Sequence, residues 1–278
     1  MDKKIIPVVI VLFCCIPFQR SLAQAHSLTK LWQTDTLLKT PESVLFDAGD
    51  KLLYVSNIDG QPWEKDGKGS IGKVGLDGKI IRVDWVTGLN APKGLGRYKN
   101  NLYAADVDNV VVIDIAKGVI AKRIPVEGAQ GLNDISVDKK GRVYVTDSKA
   151  GKIYKLEQDA FVLVAEDLKG LNGVLSTGDN LYAVAGGALW QIDASKKAMK
   201  LADGMEPAVD GLEQVAPNEF LVSVWNGIIY YVKDGKAQQM LDTREQKSNT
   251  ADIGFDPKTR TVYVPTFYKN SITAYRLK

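Results

Sequence analysis

Six positions along the chain could together build one oxygen-rich cluster: Glu42, Lys93, Asn133, Asn172, Asp210, and Ala251 with Asp252 beside it. Glu42, Asn172 and Asp210 offer carboxylate and amide oxygens with two negative charges, which suits one divalent cation. Calcium fits foremost, because it takes about six to eight oxygens at flexible geometry and lets water complete the set. Magnesium and manganese are the next choices and zinc the last, since an all-oxygen ligand set is hard. The rival arrangement is a hydrogen-bonded polar plug, in which Lys93 pairs with Glu42 or Asp210 and no metal binds. In either case, converging oxygens need something to neutralise and satisfy them.

Much chemistry is excluded by what the chain lacks. Its two cysteines, Cys14 and Cys15, both lie within the first 25 residues, and its single histidine is His26. Once that segment is removed there is no disulfide, Cys nucleophile or thiolate metal site. One histidine at the chain start leaves no Ser-His-Asp triad, no Cys-His pair and no His-ligated zinc.

What brings the six positions together is a repeat. Each opens a short apolar strand, followed by a polar turn and a second strand, as in Asn133-Asp-Ile-Ser-Val leading to Val143-Tyr-Val-Thr-Asp147. The copies start at 42, 93, 133, 172, 210 and 251, with steps of 51, 40, 39, 38 and 41. A period near 40 with several short strands per unit marks a β-propeller, one copy per blade. The expected fold is therefore all-β, a six-bladed propeller of four-stranded blades. The last copy offers only three strands, at 252–256, 261–267 and 271–277. A strand between Ser27 and Thr34 can complete that blade and close the ring, which also covers exposed strand edges.

In such a ring the first strand of every blade begins at one mouth of the central channel and the second strand returns there. Asn57, Asp59, Asp106, Asp147 and Trp225 should thus border the same mouth. For Asp106 and Asp147 two roles compete, substrate contact and capping of backbone N–H groups at a strand end. The long first step holds an insertion at 60–70, rich in Gly, Pro and Asp, which reads as a solvated turn or as a flap over the mouth. Its Trp63 either covers a ligand or packs locally.

The start of the chain, Met1-Asp-Lys-Lys, precedes an apolar run from Ile5 to Phe18 and ends at Ala23-Gln-Ala25. This is the pattern of a secretory signal peptide over 1–25, leaving one domain at 26–278 in the periplasm or outside the cell. The run is too short to span a bilayer. Cleavage removes three of 36 basic and one of 33 acidic residues, leaving 33 against 32. So balanced a chain lacks the basic footprint of a nucleic-acid binder.

The pattern resembles the gluconolactonase, senescence marker protein and luciferin-regenerating enzyme family of six-bladed propellers. The residues carrying the likeness are Glu42 in Pro-Glu-Ser-Val, Asn133 in Leu-Asn-Asp, Asn172 in Leu-Asn-Gly and Asp210 in Asp-Gly-Leu. It spans the whole mature chain. The resemblance implies a channel metal held by Glu42, Asn172 and Asp210, with Asn133 touching substrate or metal-bound water. It also implies Asp210 as general base. Two positions depart from the family: Ser43-Val44 follows Glu42 in place of Gly-Pro, and Gly131 stands where sugar-lactonase members carry Arg. The second departure argues against an aldonolactone substrate.

Three functions follow as expectations. The first is metal-dependent hydrolysis of a lactone, ester or sugar derivative, with Asp210 accepting a proton and Lys93 facing the developing oxyanion. In it, Asn133, Trp63, Asp106, Asp147 and Trp225 contact the substrate. The second is a binding propeller without catalysis, and the third a strictosidine-synthase-like enzyme.

Overall fold

Runs of Val, Ile, Leu and Tyr bounded by Gly, Asp and Asn turns form six antiparallel sheets of four strands each. The computed structural model describes Met1 and residues 26–278. Apart from Met1, the expected export signal at 1–25 lies outside the described residues. Blade one runs from Pro41–Asp47 to Ile80–Leu89, blade two from Pro92–Tyr98 to Val119–Pro125, and blade three from Leu132–Val137 to Ala160–Ala165. Blade four covers Leu171–Ser176 to Ala198–Ala202, and blade five Val209–Ala216 to Lys236–Asp242.

Blade six is assembled from both ends of the described chain. Gly254–Asp256, Thr261–Pro265 and Ile272–Leu277 are followed at the outer edge by Leu28–Gln33, with Leu28 opposite Leu277 and Gln33 opposite Thr273. The ring is therefore closed by backbone ladder bonds, as the strand count required. Ser27 and Lys278 exchange one further pair, at 3.3 and 3.0 Å.

Burial follows position in the blade. Second strands are covered on both faces, and Leu102 to Asp106 are all buried, whereas the outermost strand Val119–Pro125 is mostly exposed. A blade cannot cover its own two faces, so apolar side chains of neighbouring blades interdigitate. Between blades two and three, for example, Tyr103, Val110 and Val112 pack with Ile135, Val143 and Val145. The hairpin at Asp234-Gly235 has φ of 50° and 73°, the two positive values that a type I′ turn needs.

The inner strands approach one another more closely than side chains allow. A Cβ on Gly94 would fall 2.5 Å from the Cα of Asp134, and one on Gly211 would fall 2.5 Å from the amide of Ile253. Glycine at these places lets acidic neighbours from blades three and six reach the axis.

Blade six departs from the expected strand limits. Its second strand stops at Pro265 instead of 267, because Thr266 and Ser271 close a tight turn: Thr266 N donates to Ser271 O at 2.9 Å and Ser271 N to Thr266 Oγ1 at 3.1 Å. Between them Phe267–Lys269 form one 3-10 turn.

Candidate functional site

At the mouth from which the inner strands start, the floor is Glu42, Lys93, Asn133, Asn172 and Asp210, one residue from each of blades one to five. They line a single cavity of about 320 Å³. Ala251 takes the corresponding place in blade six and packs with Ile58, Ala91, Val107 and Phe267 as part of an apolar collar.

Glu42 and Asp210 are 4 % and 2 % exposed, yet Glu42 Oε2 and Asp210 Oδ1 have no hydrogen-bond partner among the described residues. Burial pushes both carboxyls well above the usual carboxylate range, and each also suffers the negative charge of neighbouring acids. For Asp210 these neighbours are Asp252 and Asp134, partly offset by Lys93 and by the Asn172 amide. Unpaired buried carboxylate oxygens are costly, and protons or a cation would relieve that cost.

Lys93 does not supply the missing partner. Its ammonium donates to Pro62 O at 2.5 Å and Ala91 O at 3.2 Å and lies 4.2 Å from the centre of the Trp63 ring. Among the described residues it forms no ion pair with Glu42 or Asp210, so the paired plug is not the arrangement present. Burial lowers its pKa, against the pull of Glu42, Asp106 and Asp210. Two of its three N–H donors are engaged, which leaves one for the cavity.

The insertion at 60–70 is a wall of this cavity. Trp63 lines it, and Lys149 Nζ reaches within 4.4 Å of the same ring. Lys65 ties the loop to Asp108 of blade two. A Cβ at position 131 would meet Trp63 Cζ3 at 2.9 Å and Lys149 Cδ at 2.8 Å, so the indole and this lysine fill the room a side chain there would use.

Of the second-strand ends, Trp225 lines the cavity and the acids do not. Asp106 accepts the amides of Asn90 and Ala91, both at 2.9 Å, and pairs with Arg123 at 3.3 Å. Asp147 accepts from Gln130 N at 2.7 Å, Gly131 N at 3.0 Å, Lys149 N at 3.2 Å and Ala150 N at 3.0 Å. Of the two roles weighed for these acids, the hydrogen bonds are those of capping: both carboxylates are engaged at the strand junctions. Asp59 pairs with Lys39 at 3.0 Å, and Asn57 bonds the backbone at Lys39 and Val83. Asp147→Ala should strand several buried donors and cost about 2–4 kcal/mol, to be read from a urea unfolding midpoint.

Ile58, Pro62, Phe267 and Tyr268 complete the cavity and were not singled out from the sequence. Phe267 and Tyr268 sit where a second-strand end returns to the mouth, the same topological position as Trp225.

A larger cavity of about 540 Å³ opens at the other end of the channel. Its acids have donors: Asp134 accepts Ile135 N and Val174 N, both at 2.7 Å, Asp252 accepts the Ser43 hydroxyl at 2.5 Å, and Asp47 pairs with Arg97 at 2.5 Å. Among the described residues, the buried carboxylate oxygens without a partner, on Glu42 and Asp210, both belong to the first mouth.

No family model matches the chain, and no curated protein matches it. Solved structures do. A streptogramin B lyase is 12 % identical with a TM-score of 0.64, covering 91 % of this chain and 98 % of its own. A catalytically inactive histidine-to-alanine variant of virginiamycin B lyase from Staphylococcus aureus, solved with quinupristin, is 15 % identical with a TM-score of 0.62, covering 91 % and 100 %. A protein of unknown function from Bacteroides thetaiotaomicron is 13 % identical with a TM-score of 0.66, covering 91 % and 76 %. These likenesses establish a shared six-bladed propeller and nothing finer.

Proposed function

We propose that the protein is a metal-dependent hydrolase of a lactone or related ester, exported to the periplasm or beyond, with its reaction centre on the channel floor. The observation that carries this reading is the pair of unpartnered, buried oxygens on Glu42 and Asp210, beside the Asn172 amide and with no lysine partner. Glu42, Asn172 and Asp210 would hold one hard divalent cation, calcium foremost, whose chemistry when bound is polarisation of a carbonyl and acidification of water.

The residues of the chain do the rest. Asp210 lines the cavity and its Oδ1 has no hydrogen-bond partner among the described residues, so it can take a proton from the attacking water as its oxygen bonds to the acyl carbon. Asn133 can orient the substrate through its amide. Lys93, fixed by two carbonyls, keeps one N–H for the negative charge that grows on the carbonyl oxygen. Breakage of the acyl C–O bond leaves an alkoxide that recovers the proton, and hydroxy acid departs. The aromatic walls limit the access of further water.

The lyase likeness is a weaker guide to chemistry here. The inactive virginiamycin B lyase lost a histidine, whereas the one histidine of this chain, His26, stacks on Tyr231 at 3.8 Å between ring centres and contacts Lys278 O. It plays no part in the mouth.

The test is pH-stat hydrolysis of a panel of aliphatic, aryl and sugar lactones and aryl esters, run with calcium and with chelator. Turnover that chelator abolishes is expected. Turnover indifferent to chelator would refute the metal reading, and silence across the panel would leave a binding propeller.

A further inference from the structure

The floor of the site is polar, but its walls are not. Besides the five floor residues the cavity is lined by Ile58, Pro62, Trp63, Trp225, Phe267 and Tyr268. The only polar side-chain atoms on those walls are two indole N–H groups and one phenol. Trp63 lies over blades two and three, held by Lys93 and Lys149, while Trp225, Phe267 and Tyr268 belong to blades five and six across the ring. Between them is a slot with the volume of roughly ten water molecules at ~30 Å³ each.

Both walls are built rigidly. Trp225, Phe267 and Tyr268 meet edge-to-face, with ring centres 5.5, 6.0 and 4.7 Å apart. Phe267 has φ of 49°, a left-handed value that is a true outlier for so bulky a residue. Such a conformation persists only where its surroundings insist on it, and it clusters at functional places. Here the insistence is visible: Asn270 Oδ1 accepts from Thr40 N at 2.9 Å, and the Ser271 hydroxyl accepts from the Gln33 amide at 2.9 Å and bonds the Thr266 hydroxyl at 2.8 Å. Tyr268 remains 64 % exposed, a large ring left uncovered at the mouth.

We infer that the site selects a substrate whose carbonyl is joined to a flat, uncharged apolar group, such as a benzo-fused lactone or an aryl ester, over a polyhydroxylated sugar lactone. The carbonyl reaches the floor and the ring occupies the slot between the two aromatic walls. A sugar can also stack on aromatic rings, but its hydroxyls then need partners. The rim carboxylates that could serve are already spent on backbone amides, Arg123 and Lys39. Buried hydroxyls without partners oppose binding. At position 131 the space for a polar side chain is taken by Trp63 and Lys149.

The inference rests on the hydrolase reading for its reacting group, so the experiment separates the two. Turnover of dihydrocoumarin, δ-valerolactone and glucono-δ-lactone is compared, alongside calorimetric binding of the corresponding unreactive lactams, dihydroquinolin-2-one and gluconolactam. The benzo-fused lactone should exceed the plain one in kcat/KM by about ten- to a hundredfold, with the sugar lactone lowest. Tyr268→Ser should raise KM for the benzo-fused substrate more than for δ-valerolactone, and Tyr268→Phe should restore it. If no lactone turns over, tighter binding of dihydroquinolin-2-one than of gluconolactam still upholds the ligand class while the hydrolase reading falls. Preference for the sugar in either assay overturns the inference, as does failure of both lactams to bind. Equal losses on both substrates in Tyr268→Ser overturn it too.

Discussion

Asp210→Asn is expected to lower turnover by roughly 10²–10⁴-fold, the range that loss of a positioned general base produces. The substitution keeps the shape of the side chain and removes the charge and the proton-accepting oxygen together. It also deletes one of the two negative charges that would balance a divalent cation. A second readout follows without any substrate. Calcium at about a hundred times its dissociation constant should stabilise the wild-type fold by ~2.7 kcal/mol, and the variant should show little of this. Because Asp210 is buried with a partnerless oxygen, losing its charge also relieves strain in the metal-free state. Metal-free Asp210→Asn should therefore melt at or above the temperature of metal-free wild type. A variant with unchanged turnover would remove Asp210 from the mechanism. One that has lost turnover but keeps the full calcium-induced rise would make Asp210 a base and not a ligand.

How far the mouth could be read in advance depends on which physical signal each residue carries. The inner ring was legible because the repeat carries two marks, a polar residue at the strand start in five copies (Ala251 opens the sixth) and a Leu-Tyr or Val-Tyr pair in the second strand of every copy but the fifth, which has Phe220-Leu221. Counting strands was enough to require Leu28–Gln33 in blade six, since a three-stranded blade would leave an open edge. Asp106 and Asp147 were harder. An acid at a strand end is the same letter whether it faces a ligand or caps amides, and only the positions of the Asn90, Ala91, Gln130 and Gly131 amides decide. Phe267 and Tyr268 were missed for a different reason. Thr-Val-Tyr-Val-Pro-Thr-Phe continues the β-favouring pattern, so the expected strand runs to 267, taking in Phe267 and leaving Tyr268 in the turn before 271. The interruption comes from hydroxyl bonds between Thr266 and Ser271, a local turn closure with no periodic trace. Had the strand been ended at Pro265, the rule that second strands return to the mouth would have placed both rings at the site.

Below the floor the channel carries a column of acids, and this makes the metal-free protein sensitive to alkali. Burial raises Asp134 well above its usual range and Asp252 to about 7, and it raises Glu213 to about 8 with help from the charge of Asp252. Against them stand the Ser43 hydroxyl on Asp252 and backbone amides of Ile135 and Val174 on Asp134 and of Phe255 on Glu213. All these folded values exceed the unfolded ones, near 4. The folded state therefore holds more protons, its stability is greatest below the unfolded pKa, and it is lost as pH rises towards 8. In chelator, unfolding measured from pH 5 to 8.5 should show a loss on the order of 3–5 kcal/mol, allowing for the water that reaches Asp252 and Glu213. For a chain of this size each kcal/mol moves Tm by about 2–4 °C, so the fall is large enough to see in a melting curve. Glu213→Gln keeps the neutral form at every pH and should flatten the upper part of that fall. Added calcium should recover more stability at pH 8 than at pH 5, where protons compete for Glu42 and Asp210. A metal-free Tm that rises from pH 5 to 8 would mean that the column is ionised and compensated by another charge.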